Sequence, residues 1–157
     1  MKRGYFGIGI EAGKTAENLG TLWRSAHAMG AAFIFTIGAR YPRQPTDTTK
    51  AWRHIPLHEY DTVAEFCAAV PRECDVIGVD CGLGRPRPLP TFTHPERAVY
   101  VLGAEDRGLS GAMFQRVERL VEIPTTYCLN VATAGSLVMY DRMAKTQCAP
   151  ERHRVTA

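Results

Sequence analysis

The sequence predicts an α/β fold, a single domain built on a largely parallel sheet with helices on both faces. Compact apolar runs at residues 5–10, 32–37, 75–81 and 98–102 alternate with stretches of helical periodicity, the pattern of strands covered on both sides. The chain has 157 residues, enough for one proper core and too few for two comfortable ones. No repeat, low-complexity block or linker divides it. The expectation is therefore one domain over 1–148 and a polar tail over 149–157.

Composition narrows the class further. At 45% hydrophobic and 22% charged residues, global disorder is excluded. A net charge of +3 permits a nucleic-acid partner without proving one. Five cysteines, with no C-x-x-C pair, argue against a metal site or a disulfide framework and suit a reducing cytosol. The N-terminal apolar run is short and ends at Glu11, so neither a signal peptide nor a membrane span is expected, and a cytoplasmic protein is.

Taken in order, residues 5–10 read as a first strand closed by an E-A-G-K turn. Thr15 is placed to cap a helix with Glu17 in its first turn, and Leu19, Leu22, Trp23, Ala26 and Met29 form its apolar stripe. Residues 32–37 form the second strand. A long polar passage over 38–60 carries Arg40, Arg43, Lys50 and Arg53, and loops of that length usually carry function or move. A helix over 62–70, a strand over 75–81 and a Gly/Pro/Arg turn follow. Strands at 98–102 and 120–123 flank a short helix at 111–117. The stretch from Glu122 to Asp141 ends the domain as strand, polar turn and helix, with Asn130 where an N-cap is wanted. A strand–turn–helix unit in that place is the usual site of a cofactor pocket.

Three patches carry candidate chemistry. In the first helix, Asn18 is followed by Gly20 and Arg24, and the last two share a face. A glycine there marks a place for close approach, beside a fixed cation whose planar fork suits phosphate. After the 98–102 strand comes G-x-E-x-x-G, in which Gly103 lets the backbone approach a bound group and Glu105 can accept hydrogen bonds from an arginine or from neighbouring amides. In the closing stretch, Cys128 and Asn130 flank Leu129. Each alone also fits a plainer reading: a surface arginine and a packing glycine, a tight loop with solvated charges, a simple helix cap.

Together, N-x-G-x-x-x-R-x-A-x-x-x-G, G-x-E-x-x-G-L and I-P-x-x-x-x-L-N-V-A-x-A, in that order over 18–140, closely resemble the three motifs of the SpoU-type (TrmH-like) RNA ribose 2′-O-methyltransferases of the SPOUT superfamily. The resemblance implies a C-terminal trefoil knot, a homodimer with active sites at its interface, and S-adenosyl-L-methionine held by the knot loops. It assigns catalytic roles to Asn18, Arg24, Glu105, Cys128 and Asn130. It assigns methyl-donor contacts to Val79, Leu102, Gly103, Ile123, Cys128 and Leu129. Glu105 is expected to orient Arg24 or the donor loop. The RNA partner, tRNA favoured over rRNA, is expected to meet Arg40, Arg43, Lys50 and Arg53, with Arg85 and Arg87 nearby and Tyr41 and Trp52 available for stacking.

Two departures stand out: Cys128 and Ala132 occupy positions where the family usually has serine. They open an alternative, a catalytically impaired knotted dimer that only binds RNA. An ordinary dinucleotide-binding fold is disfavoured, because Gly7-x-Gly9 is followed by Ala12 and Gly13 without the G-x-G-x-x-G spacing. No G-x-S-x-G elbow of a hydrolase is present.

Overall fold

Seven strands, all paired in parallel, form the sheet that organises the computed structural model, in which residues 4–41, 51–82 and 84–146 are described. In chain order these are β1 (Tyr5–Glu11), α1 (Ala16–Met29), β2 (Phe33–Ile37), β3 (Leu57–Tyr60), α2 (Val63–Ala69), β4 (Asp75–Val79), β5 (Arg87–Pro88), β6 (Arg97–Leu102), α3 (Gly111–Phe114), β7 (Arg119–Glu122) and α4 (Val131–Thr146). The strand order is β3-β2-β1-β6-β4-β7-β5.

Period-two alternation divides the core between the two faces. Phe6, Ile8 and Ile10 of β1, with Tyr100 and Leu102 of β6, pack beneath α1 and α4. Val99 and Val101 join Phe33, Phe35, Phe66 and Met113 on the opposite face, under α2 and α3. Gly7 and Gly9 of β1 leave room there for the neighbouring strand's rings, since a Cβ on Gly7 would lie 2.3 Å from the Phe33 ring.

The helices begin and end for local reasons. Thr62 caps α2 by accepting the Glu65 N–H, and Ser110 caps α3 by accepting that of Met113. Thr15 occupies the expected N-cap of α1, but its side chain makes no capping bond. Gly30, in the left-handed region at φ 80°, closes that helix. α3 stops at Phe114 rather than Val117. β3, inside the passage expected to be loop, is a sheet-edge strand without a clean alternation of burial. The expected boundary at 148 and the tail beyond it lie outside the described residues, as do Arg43 and Lys50.

A clasp joins α4 to residues 89–96. Arg142, buried, donates to the carbonyls of Pro95 and Glu96 and to the Tyr100 hydroxyl. Lys145 donates to the carbonyls of Leu89 and Phe92. His94 lies between Tyr100 (2.6 Å) and Asp141 (2.9 Å). The Asp141 carboxylate accepts, so His94 Nε2 carries the hydrogen and Nδ1 accepts from the Tyr100 hydroxyl. Burial lowers the His94 pKa and pushes that of Tyr100 up to about 12. Among the described residues no helix is long and apolar enough to cross a membrane, and no group of side chains is arranged to hold a metal ion.

Candidate active site

The sheet's carboxyl edge opens into a cavity of about 400 Å³, within the range of small-ligand sites. Its walls come from three segments: the turn after β4, the loop after β6, and the stretch between β7 and α4. Val79, Leu102, Gly103, Ile123, Cys128 and Leu129 all line it, so the structure brings together the six residues singled out for the methyl donor. Asp80, Cys81, Val131 and Ala134 line it as well.

The loop after β6 is a tight hairpin. Ala104 and Gly108 exchange backbone hydrogen bonds at 3.1 and 2.8 Å, and Gly108 adopts φ 64°. A Cβ on Gly103 would lie 2.4 Å from the Gly108 carbonyl carbon and 2.5 Å from the Leu109 nitrogen. The close approach at Gly103 is therefore to the chain's own backbone.

Two carboxylates that sequence reasoning passed over hold this loop. Asp80 accepts from the Leu109 N–H at 2.7 Å and from Gly82 at 3.0 Å. Glu11, buried, accepts from the Ser110 N–H at 2.9 Å and from its hydroxyl. An acidic residue at the end of an apolar strand, as in I-G-I-E and I-G-V-D, was the only local signal. In the same loop Asp106 also lines the cavity, and its carboxylate is held below its ordinary pKa by a hydrogen bond from Lys14, at 2.8 Å.

Beside the cavity, three residues remote in sequence form one directed chain of hydrogen bonds. Glu105 accepts from Asn18 Nδ2. Asn18 Oδ1 accepts from Asn130 Nδ2 at 2.8 Å. Asn130 Oδ1 accepts from the N–H groups of Ala132 and Thr133 at 3.0 and 3.2 Å, capping α4. A carboxylate accepts and a backbone N–H donates, so both amides are oriented from their two ends. Of the two expected roles for Glu105, orienting Arg24 or the donor loop, its bond to Asn18 does not involve Arg24.

Asn130→Ala removes the α4 cap and the middle of this chain at once. It is expected to cost about 1 kcal/mol, lowering Tm by roughly 3 °C in a chain of this size. Thermal unfolding followed by circular dichroism checks it; an unchanged Tm would show that the cap contributes nothing.

The remaining candidates lie elsewhere. Arg24 is exposed on α1, outside the cavity lining, and makes no hydrogen bond or ion pair among the described residues. It lies six positions beyond Asn18, about 9 Å along the helix and roughly a third of a turn round. A Cβ on Gly20 would meet nothing within 4 Å among the described residues, so that face of α1 is open. Ala132 is buried in the core, leaving its N–H as its contribution to the site. Of the basic loop, Arg40 is paired with Asp61 at 2.9 Å, and Arg53 lies 5.0 Å from the Trp52 ring centroid. Tyr41 is half-buried and its hydroxyl donates to the Gly13 carbonyl. Arg85 and Arg87 stand at a second cavity, beside β7.

The fold has counterparts among solved structures. The SpoU methyltransferase AviRb from Streptomyces viridochromogenes, in complex with the cofactor AdoMet, superimposes with a TM-score of 0.80 at 22% identity, over 94% of this chain and 62% of that one. The A. aeolicus TrmH/SpoU tRNA modifying enzyme gives 0.79 at 14% identity, over 93% and 78%. A structure addressing the 2-OH methylation of C/U34 on tRNA gives 0.78 at 21%, over 93% and 99%. The chain thus spans less than two thirds of the AviRb chain. No curated protein matches it in sequence. The model of the SpoU rRNA Methylase family matches residues 7–140, and the chain belongs to that family.

Proposed function

We propose that this protein is an S-adenosyl-L-methionine-dependent RNA methyltransferase that acts on a ribose 2′-hydroxyl, with tRNA the favoured substrate over rRNA, in the cytoplasm. The observation that carries the reading is the cavity lined by Val79, Gly103, Ile123 and Leu129, with the Glu105–Asn18–Asn130 chain at its side. Its chemistry suits the donor. Val79, Leu102, Ile123 and Leu129 form apolar walls for an adenosine, and the backbone of the 103–108 hairpin and the 123–130 turn supplies polar groups to fix it. When bound, the sulfonium supplies an electrophilic methyl group.

The acceptor hydroxyl is a poor nucleophile, so the protein's task is alignment and stabilisation of the charge that develops on it. Arg24 holds the neighbouring phosphate and stabilises the alkoxide, and the RNA phosphate, or another group that Arg24 organises, accepts the hydroxyl proton. Asn18 and Asn130, oriented by Glu105 and by the start of α4, keep the donor loop and the helix terminus in register.

Arg24 stands outside its own cavity, and α1 leaves open space over Gly20. Leu137 and Tyr140 are exposed on α4, the helix that packs beside α1. These features support a homodimer in which one protomer's Arg24 serves its partner's cavity. A knotted C-terminus is supported by strand order: β7 inserts between β4 and β5, so the chain leaving it must pass the segment joining those two.

The buried position of Ala132 removes one reason to expect lost catalysis. Transfer of labelled methyl groups to bulk unmodified tRNA and rRNA, followed by mass mapping of ribose methylation, tests the reading. Ribose-methylated tRNA is expected; label on bases, or none with folded protein and intact RNA, overturns it.

A further inference from the structure

Three arginines converge on a second cavity, of about 460 Å³, at the β5 edge of the sheet. Arg85 and Arg87 come from the segment that forms β5, and Arg119 opens β7. Parallel pairing of Arg87 with Val121 fixes that segment against β7. Asp75 holds the Arg119 guanidinium at 3.0 Å. Among the described residues, the side chains of Arg85 and Arg87 have no hydrogen-bond or ion-pair partner. Glu118 is the one carboxylate among the described lining residues, so positive charge is in excess there.

The rest of the wall is aromatic and firmly held. Phe92 is buried, and its carbonyl accepts from Lys145. Gly84, at φ 78°, lets its turn lie against Phe114, since a Cβ there would be 2.9 Å from the ring. Phe114 is half-buried and lines the cavity. Guanidinium forks beside an aromatic ring suit a phosphate and an unstacked base. No residue lines both this cavity and the first. Residues 118–120 line it where β7 begins, while Ile123, just past the other end of β7, lines the first. From Leu120 to Ile123 the chain rises roughly 10 Å.

We propose that this cavity is a second RNA subsite, in which Arg85, Arg87 and Arg119 hold a backbone phosphate and Phe114 stacks on the base of an unpaired nucleotide. The inference rests on RNA's being the substrate of the first cavity. With the target ribose at the carboxyl end of β7, the same strand runs along the β5 edge and a flanking nucleotide enters here. Arg85 and Arg87 present planar donors to the phosphate oxygens, and Arg119, already tied to Asp75, adds its charge. Stacking accepts any base, so the cavity adds affinity without a strong sequence preference. It selects instead for an unpaired segment beside the target, because a base inside a helix cannot offer its face.

The test uses the full chain and bulk unmodified tRNA, with affinity followed by fluorescence anisotropy between about 50 and 200 mM salt. The double variant Arg85→Ala/Arg87→Ala is expected to bind about tenfold more weakly or worse. Its plot of log affinity against log salt should be shallower by roughly 0.7, the share of one single-strand phosphate contact. Phe114→Leu keeps the apolar bulk without the stacking, and is expected to weaken binding about fivefold or more with the salt slope unchanged. Arg116→Ala is the control. It removes the same charge from an exposed residue outside the lining, and is expected to change affinity by less than about twofold. Affinity for S-adenosyl-L-methionine is expected to be unchanged in all of them. Unchanged tRNA affinity in the folded double variant or in Phe114→Leu, or an equal loss in Arg116→Ala, overturns the proposal and leaves the methyltransferase reading standing. A wild-type chain that binds neither bulk tRNA nor rRNA overturns both.

Discussion

Arg24→Ala is expected to lower methyl transfer by about 10²-fold or more, the cost of removing one preorganised charge-stabilising group. The residue is exposed, unpartnered among the described residues and outside the cavity lining. Its loss therefore leaves the fold and the cavity intact, and affinity for S-adenosyl-L-methionine should change by less than about twofold, under 0.5 kcal/mol. Arg24→Lys keeps the charge without the planar fork and should recover only part of the rate. Single-turnover kinetics with excess enzyme separates the chemical step from binding. Persistence of near-normal turnover in Arg24→Ala would show that another group attends to the hydroxyl. In a mixture of Arg24→Ala protein with an inactive cavity variant, partial activity is the mark of a shared, two-protomer site.

The second large effect is expected at Gly103. Any side chain there meets the backbone of Gly108 and Leu109 at 2.4–2.5 Å, and backbone closed by two hydrogen bonds does not yield as a flexible side chain does. Gly103→Ala should cost about 2 kcal/mol, as overpacking does, and lower Tm by roughly 6 °C. Because the hairpin is also a cavity wall, affinity for S-adenosyl-L-methionine should fall about tenfold, ~1.4 kcal/mol. Gly111→Ala serves as the control, since a Cβ there meets nothing within 4 Å. Normal cofactor affinity in Gly103→Ala would mean that the hairpin's shape does not set the site.

How much of this was readable without coordinates depended on burial. β1, β2, β4 and β6 stand out because each is a near-continuous apolar run covered on both faces. β3 was hidden in a polar passage: it lies at the sheet edge, and His58 and Glu59 are exposed in succession. β5 has only two residues, too few to leave a pattern. At the site, motif order pointed to Asn18, Glu105 and Asn130. No spacing rule could show that they bond to each other across 87 and 112 residues, or that Glu105 turns to Asn18. In the sequence Glu11 reads as the start of a turn and Asp80 as part of a strand, because their partners are amides of a loop supplied much later in the chain. Gly103 and Gly20 carried the same expectation of close approach, and only packing separates them.

The clasp at the end of α4 has a bearing on how the protein is made. The carbonyls of Leu89, Phe92, Pro95 and Glu96 find their donors on Arg142 and Lys145, 46 to 56 residues later. On the ribosome, β1 and β2 can pair early, but residues 89–96 cannot settle until the last turns of the final helix have emerged. Proteolysis that trims those turns acts at a distance, unfastening a segment half a hundred residues upstream while the helix's own beginning, at Asn130, stays capped.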